Sequence, residues 1–379
     1  MQEEQYDILI VGAGPAGCAC ALALKDSGLR VAIVDKTTFP RDKVCGDAIP
    51  GRAIKTLRKI DKAFANEFEQ FDHKCETRYT TLFYKQKQLT FKWVQPAYTC
   101  ARVSFDNFLF ELVRKHTSTA ILTNTAPGSI AVAEDGIAVH TSERILKAQL
   151  IVGADGAHSA VAKQLAPRAL DRKHHAGSVR AYYSDIAGLS ADTTEIYFEQ
   201  RFLPSYLWVF PLPGGRANVG FGMLSSEIAK RRVNIKTAFY DFIAQMPELN
   251  EKFKAAEQVS SLDGFGLPLG SNIGTLSGER FMLCGDAASL IDPISGDGIG
   301  NAMLSGRLAA EQAMRCFTKN DFSGQHMKAY DKAVLAALGK ELKMRHRAQV
   351  ILTRVPFLLD AVFLAGRSKW LKRIIQKAL

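Results

Sequence analysis

A chain of 379 residues, 47% of them apolar and 23% charged, carries enough hydrophobic material for roughly two or three folded domains, which excludes disorder as its dominant state. Lys and Arg number 49 against 38 Asp and Glu, a formal net charge of +11, yet from Asp331 onward eleven basic side chains meet only three acidic ones. A basic excess confined to one end argues against a nucleic-acid binder, which needs basic and aromatic residues interleaved over its body.

The N-terminus, Met1-Gln2-Glu3-Glu4, lacks the basic and apolar regions of a signal peptide, and no apolar run reaches the roughly 18 residues needed to span a bilayer, so a cytoplasmic location is expected. Seven cysteines at irregular spacing fit a reducing compartment better than a disulfide framework, and neither paired Cys-x-x-Cys knuckles nor a carboxylate-histidine spacing marks a metal site.

In chain order, Tyr6 to Val11 reads as a strand, Pro15 to Ser27 as an alanine-rich helix closed by Gly28, and Arg30 to Asp35 as a second strand. From about Thr77 to Gln95, and again from His175 to Gly222, aromatic-rich alternating segments such as Tyr206-Leu-Trp-Val-Phe predict an antiparallel sheet. After Leu283 the chain returns to a glycine-rich loop and a helix through Arg315, and the periodicity stays helical to the end. There is no internal repeat, linker or low-complexity tract.

Gly12-Ala13-Gly14-Pro15-Ala16-Gly17 lies between the first strand and the first helix, the context a dinucleotide-binding turn requires. Gly12 permits the tight turn, Gly14 lets main chain approach a pyrophosphate, Gly17 lets the helix pack on the strand, and Pro15 suits a first helical position. The free N–H groups and dipole of that helix end favour phosphate. Asp35, 18 residues after Gly17 and followed by Lys36, is placed to accept from a ribose diol. Two further strand-then-turn segments carry an acid: Gly153-Ala-Asp155-Gly156-Ala-His-Ser159, and Cys284-Gly285-Asp286 leading into Asp292-Pro-Ile-Ser-Gly296-Asp297-Gly298-Ile299-Gly300. Asp286 suits a ribityl hydroxyl, and the glycines at 296 and 298, with Ile299, let main chain lie against a flat ring. Each segment taken singly is also an ordinary turn.

Together and in this order these turns resemble those of the p-hydroxybenzoate hydroxylase-like flavoproteins, a resemblance that covers Tyr6 to about Arg315. It implies bound FAD and assigns Arg102, in Ala101-Arg102-Val-Ser-Phe-Asp106, to the FAD linker region, although a surface ion pair would also explain that arginine. It also implies backbone contacts to the adenine from Ala126, late in the third strand. The acid at 35 departs from the commoner Glu, so a water would bridge it to the ribose. The fold class implied is α/β, with a Rossmann-like FAD-binding domain, an inserted antiparallel-sheet substrate domain and a helical C-terminal segment. Their expected bounds are 1–75, 98–170 and 275–330 for the first, 76–97 and 171–274 for the second, and 331–379 for the third.

Within that group, Phe39-Pro-Arg41-Asp42-Lys43-Val-Cys45-Gly46-Asp47 and Tyr206-Leu-Trp208-Val-Phe210-Pro211 resemble two segments of the geranylgeranyl reductases: a Cys-Gly that faces the flavin and a Tyr-x-Trp-x-Phe-Pro stripe that lines the substrate cavity. Cys45 is either a small buried hydrophobe or, beside Arg41 and Lys43, a thiolate or poised proton. Tyr206, Trp208 and Phe210 share one strand face, as core or as cavity wall. The expected activity is FAD-dependent reduction of C=C bonds in a polyprenyl or other apolar substrate, with Cys45, Tyr206 and Trp208 as catalytic candidates. Electrons would come from NAD(P)H, a ferredoxin or a flavin reductase, since no second dinucleotide turn is present. Two alternatives remain: an aromatic or lipid monooxygenase, and a non-catalytic flavin-fold protein that binds membranes. The Trp-x-Trp-x-Ile-Pro motif of flavin-dependent halogenases is absent. The basic C-terminal segment is either a solvated or structural helix, or a peripheral membrane contact through Trp370, Leu371, Ile374 and Ile375 flanked by Lys369, Lys372, Arg373 and Lys377.

Overall fold

In the computed structural model of the chain, residues 2–355 and 358–365 are described. A six-stranded sheet runs in the order Ser277–Gly278, Phe281–Leu283, Leu150–Gly153, Ile8–Val11, Val31–Val34 and Ala120–Leu122, parallel apart from the edge hairpin. Its central strands, Ile-Leu-Ile-Val, Val-Ala-Ile-Val and Leu-Ile-Val-Gly, are buried throughout, as expected of a parallel sheet covered on both faces. The helix Pro15–Ala23 connects two of them and packs on the long helix Ile299–Lys319. That contact depends on Gly306, where an added Cβ would stand 2.1 Å from the carbonyl oxygen of Ala16.

The second sheet runs Glu257–Gln258, His175–Ser184, Arg216–Leu224, Tyr206–Leu212, Thr193–Phe198, Cys75–Tyr84, Lys87–Thr99 and Ala48–Ile49, with Asp263–Pro268 also paired to His175–Ser184. Strand alternation divides its faces. Val179, Ala181, Leu207, Val209, Val219 and Phe221 turn to a core shared with Phe239 and Phe242 of the helix Ile235–Gln245. The alternate residues Arg180, Tyr182, Tyr206, Trp208, Phe210 and Asn218 therefore line the opposite face. One pair departs from the antiparallel expectation: Thr193–Phe198 runs parallel to Cys75–Tyr84. These strands come from distant parts of the chain, so no hairpin dictates their sense.

A third, four-stranded sheet, Gln2–Gln5, Arg144–Ala148, Gly136–His140 and Ile130–Ala133, has no counterpart among the sequence expectations. The helix expected through Ser27 ends at Ala23, and the chain leaves it through i+3 turn bonds such as Ser27 N–H to Leu24 C=O.

The C-terminal segment is helical over Gly324–Val334, Lys340–Arg354 and Leu358–Ala365. It is in part structural: Leu359 and Phe363 are buried with Leu82, Tyr84, Leu89 and Phe91. The residues at 369–377 named for a membrane contact lie outside the described residues. Among the described residues no helix is long and apolar enough to cross a membrane.

Candidate functional site

At the first turn, main chain lies against main chain. Gly12 has φ +102°, and a Cβ there would stand 2.4 Å from the Ala154 carbonyl oxygen; one on Gly17 would stand 1.8 Å from that of Gly12. Gly12 N–H donates to Val34 C=O at 2.7 Å and Ala154 N–H to Val11 C=O at 2.8 Å, so the turn sits on the parallel sheet. Asp35 pins it: Oδ2 accepts from Ala13 N–H at 2.8 Å, while Oδ1 accepts from the N–H and hydroxyl of Thr37 at 3.0 and 2.7 Å. Both carboxylate oxygens thus already serve the fold, and a ribose would use their remaining lone pairs. Lys36 beside it is exposed.

The helix starting at Pro15 has Gly14 as N-cap, without a side-chain cap and without an acid in its first turn. An added Cβ on Gly14 would meet only the Arg41 guanidinium, at 3.4 Å. Free helical N–H groups, an open glycine, a dipole end and a guanidinium suit a pyrophosphate, so these residues fit FAD. Ala16 lies in the same first turn, buried under Gly306.

Arg41 and Arg102 share one acid. Arg102 is 4% exposed, and its Nε and NH2 both donate to Asp106 at 2.6 Å; Arg41 NH1 stands 3.0 Å from the same carboxylate. Arg102 is therefore a buried ion-pair arginine, not a surface one. Ala126 is placed differently from the expectation: the strand ends at Leu122 and Ala126 is an exposed loop residue. The loop turns back to the dinucleotide side because Thr125 N–H donates to Asp35 C=O at 2.8 Å.

The glycine-rich segment after Asp286 comes to the same place. Lys43 Nζ pairs with Asp286 Oδ2 at 2.8 Å, and a Cβ on Gly298 would lie 3.3 Å from Asp286 Oδ1. Gly296 has φ +70°, and the Tyr206 hydroxyl donates to Ser295 C=O at 2.6 Å. Ile299 opens the long helix, its N–H bonded to Asp297 Oδ1 at 3.1 Å. Burial, reinforced by the charge of Asp292, pushes Asp297 up to about 6. From the C-terminal helix, Arg345 pairs with Asp292 at 2.9 Å. Asp155, by contrast, serves its own helix, accepting from Ser159 Oγ at 2.5 Å and Ala160 N–H at 2.6 Å.

Between these turns stands the aromatic stripe. The Tyr206 and Trp208 rings are 6.2 Å apart, and Trp208 and Phe210 6.3 Å. A Cβ on Gly46 would lie 3.5 Å from Trp208 Nε1 and 3.6 Å from Phe210, so the Cys-Gly turn and the stripe form one wall. The indole lies across Gly220, where any side chain would collide with it at 2.1 Å. Cys45 does not have the thiolate character its basic neighbours were expected to confer: Arg41 and Lys43 are turned to Asp106 and Asp286. Burial pushes the Cys45 thiol up against the opposing pull of Arg102, so it keeps its proton.

The sequence reading missed the residues that join the wall together. Asp47 and Asn218 are each 0% exposed. Asp47 Oδ2 accepts from Asn218 Nδ2 at 2.8 Å and from the Tyr182 hydroxyl at 2.9 Å, and Oδ1 accepts from Arg102 N–H at 3.2 Å. Burial, only partly offset by these donors, pushes Asp47 up to about 6. The available signal was a lone Asn at an alternate position of an apolar strand, Ala217-Asn-Val.

The sequence profile of the FAD binding domain family matches residues 5–312. The chain is 27% identical over 359 residues to the digeranylgeranylglycerophospholipid reductase of Methanosarcina mazei, covering 90% of this chain and 83% of that one. It is 29% identical over 327 residues to the menaquinone reductase of Mycobacterium tuberculosis, covering 82% and 76%. The fold is similar to the crystal structure of a geranylgeranyl bacteriochlorophyll reductase-like protein from Thermoplasma acidophilum, with a TM-score of 0.82, 22% identity and coverage of 97% and 92%. With a dinucleotide turn, an open helix end and a family match over most of its length, the chain belongs to the FAD binding domain family and is an FAD-dependent oxidoreductase.

Proposed function

We propose that this oxidoreductase reduces C=C bonds of a polyprenyl chain or a similarly apolar substrate. The observation that carries the reading is the wall in which Trp208 and Phe210 stand against Gly46 while the Tyr206 hydroxyl donates to Ser295 C=O of the second glycine-rich segment. Both similar sequences are named as reductases, and one name specifies a geranylgeranyl-bearing lipid.

FAD, when bound and reduced, supplies the hydride. The chain must supply the rest. An isolated alkene accepts hydride poorly unless a proton reaches its other carbon, so the site needs dry apolar walls and one proton held close. The stripe gives the walls, and the Cys45 thiol, protonated because it is desolvated, holds a proton at Sγ. Gly12, Ala13, Gly14 and Ala16 with Arg41 would hold the pyrophosphate, Asp35 the ribose, and Asp286 with Gly296, Gly298 and Ile299 the ring end. Arg102 would brace Arg41 through Asp106.

Electrons would reach the flavin from NAD(P)H, a ferredoxin or a flavin reductase. For delivery of a lipid substrate we favour a peripheral membrane contact: Lys340, Lys343, Arg347 and Arg354 are exposed on the helix that also exposes Met344 and Ile351. Anaerobic incubation of the FAD-loaded protein with a chemical reductant and a geranylgeranyl compound tests the activity. Loss of double bonds without oxygen supports it; turnover only with oxygen, consumed in proportion to product, would make the protein a monooxygenase.

A further inference from the structure

Asp47 and Asn218 connect segments that are otherwise far apart in the chain. Asn218 stands on Arg216–Leu224, Trp208 on Tyr206–Leu212 and Tyr182 on His175–Ser184; Arg102 opens the helix Arg102–His116, and Cys45 to Asp47 form the turn before Ala48–Ile49. The orientation of the Asn218 amide is dictated by chemistry. Trp208 Nε1 is a donor only, so Asn218 Oδ1 must face it, at 2.8 Å. The amide nitrogen is then turned to two acceptors, Cys45 C=O and Asp47 Oδ2, both at 2.8 Å. Asp47 in turn has only neutral donors bonded to it, because the guanidinium of Arg102 is taken by Asp106 and that of Arg180 by Asp42. A fully buried carboxylate without a bonded cation is expensive, and a buried amide with all three of its bonds made is rigid.

We propose that Asp47 and Asn218 are positioning residues that lock the Trp208 indole to the Cys45-Gly46 turn, so that the apolar wall and the thiol keep one fixed relation across the reacting bond. The proposal rests on the reading of this wall as the substrate side of the site. Neither residue is assigned contact with substrate; both act through Trp208 and Cys45.

The test substitutes the amide in two ways, in FAD-loaded protein carrying Trp93→Phe and Trp370→Phe so that Trp208 is the only tryptophan, its emission excited selectively near the red edge of indole absorption. Asn218→Leu keeps the approximate size and removes every bond. Asn218→Asp keeps the acceptor for Trp208 but sets a second carboxyl against Asp47, and two carboxyls at that distance hold one proton between them. The other groups facing Asp47 are Arg102, Arg180, Tyr182, Cys45 and Cys100. The two arginines keep their charge, and burial pushes the tyrosine and both thiols up, so the carboxyl pair is what responds from mildly acid to mildly alkaline pH.

Asn218→Asp is expected to match the parent emission maximum and turnover at about pH 5.5, then to shift its emission to the red and lose kcat at least about tenfold towards pH 8.5 with FAD retained. Asn218→Leu is expected to be red-shifted and slow at every pH. Parent-like emission and turnover for Asn218→Asp at all pH values would overturn the proposal, and this variant carries the test alone if Asn218→Leu does not fold. Emission needs no substrate, which separates the two readings: the expected emission shifts in a protein that reduces no polyprenyl compound would support the positioning role and remove the proposed activity.

Discussion

At the dinucleotide turn, Gly12 and Gly17 hold their places because there is no room for anything else: a Cβ on either would fall 2.4 or 1.8 Å from the carbonyl oxygen of Ala154 or Gly12, respectively. At the junction around Asp47 the positions are held instead by directional bonds from Asn218, Tyr182 and Arg102 to one buried carboxylate. The first arrangement fails sterically and all at once. The second depends on a proton count and on which donors remain, so it can be weakened by degrees. A cofactor site of one geometry needs the first kind of rigidity, whereas a wall that admits an apolar chain can rest on the second.

Substitutions can break that contrast, and the largest effect is expected at Gly17. Gly17→Val should abolish folded, FAD-bound protein, because the Gly12 carbonyl is main chain and cannot swing aside. Gly14→Ala, with only the flexible end of Arg41 nearby, should leave the fold intact; equal damage from both, measured by thermal unfolding and flavin absorbance, would contradict the steric account. Next comes Asp106→Leu, which strands Arg41 and Arg102 without their shared counter-charge and should cost about 3–5 kcal/mol in denaturant unfolding.

Asp47→Asn sharpens the comparison through pH. Burial raises the folded-state value of Asp47 to about 6 from an ordinary 3.8, so the folded protein binds this proton more tightly than the unfolded chain does. The stabilisation is complete below the ordinary value and is lost as pH climbs from about 4 through about 6, by roughly 3 kcal/mol for a shift of this size. Asp47→Asn does not titrate, so its stability relative to wild type should rise over that interval, less about 1 kcal/mol for the bond its amide cannot accept. A difference that stays flat from pH 4 to pH 7 in urea titrations would show that Asp47 is not desolvated as described. The smallest effect is expected for Lys43→Met. Its partner Asp286, 10% exposed, stays in place to meet the cofactor, so FAD binding should weaken only a few-fold, and a complete loss of flavin would make Lys43 itself part of the cradle.

The α/β organisation was legible because parallel strands read as unbroken apolar runs, and the aromatic stripe because alternation survives in Tyr206-Leu-Trp-Val-Phe. The turn at Gly12 was legible because its parts are contiguous. The Asp47–Asn218 bond was not: its partners lie 171 positions apart, and nothing in either segment announces the other. The state of Cys45 stayed open between a thiolate and a held proton for a related reason. Its basic neighbours in sequence are paired in space with Asp106 and Asp286, which a one-dimensional reading cannot foresee. The four-stranded sheet escaped because its strands lack an unbroken buried run: Gln2-Glu-Glu-Gln carries no apolar residue, and Ile130–Ala133 is largely exposed.

The central claim, that Cys45-Gly46 and Trp208 form the wall on which the substrate is reduced, is tested most directly by separating the two half-reactions in stopped flow. Cys45→Ser and Trp208→Ala should bind FAD and accept electrons from a chemical reductant at the wild-type rate, while reoxidation by a polyprenyl substrate slows by about tenfold or more. If both half-reactions slow equally, or if substrate reoxidises both variants at the wild-type rate, the wall lies elsewhere and the account is wrong.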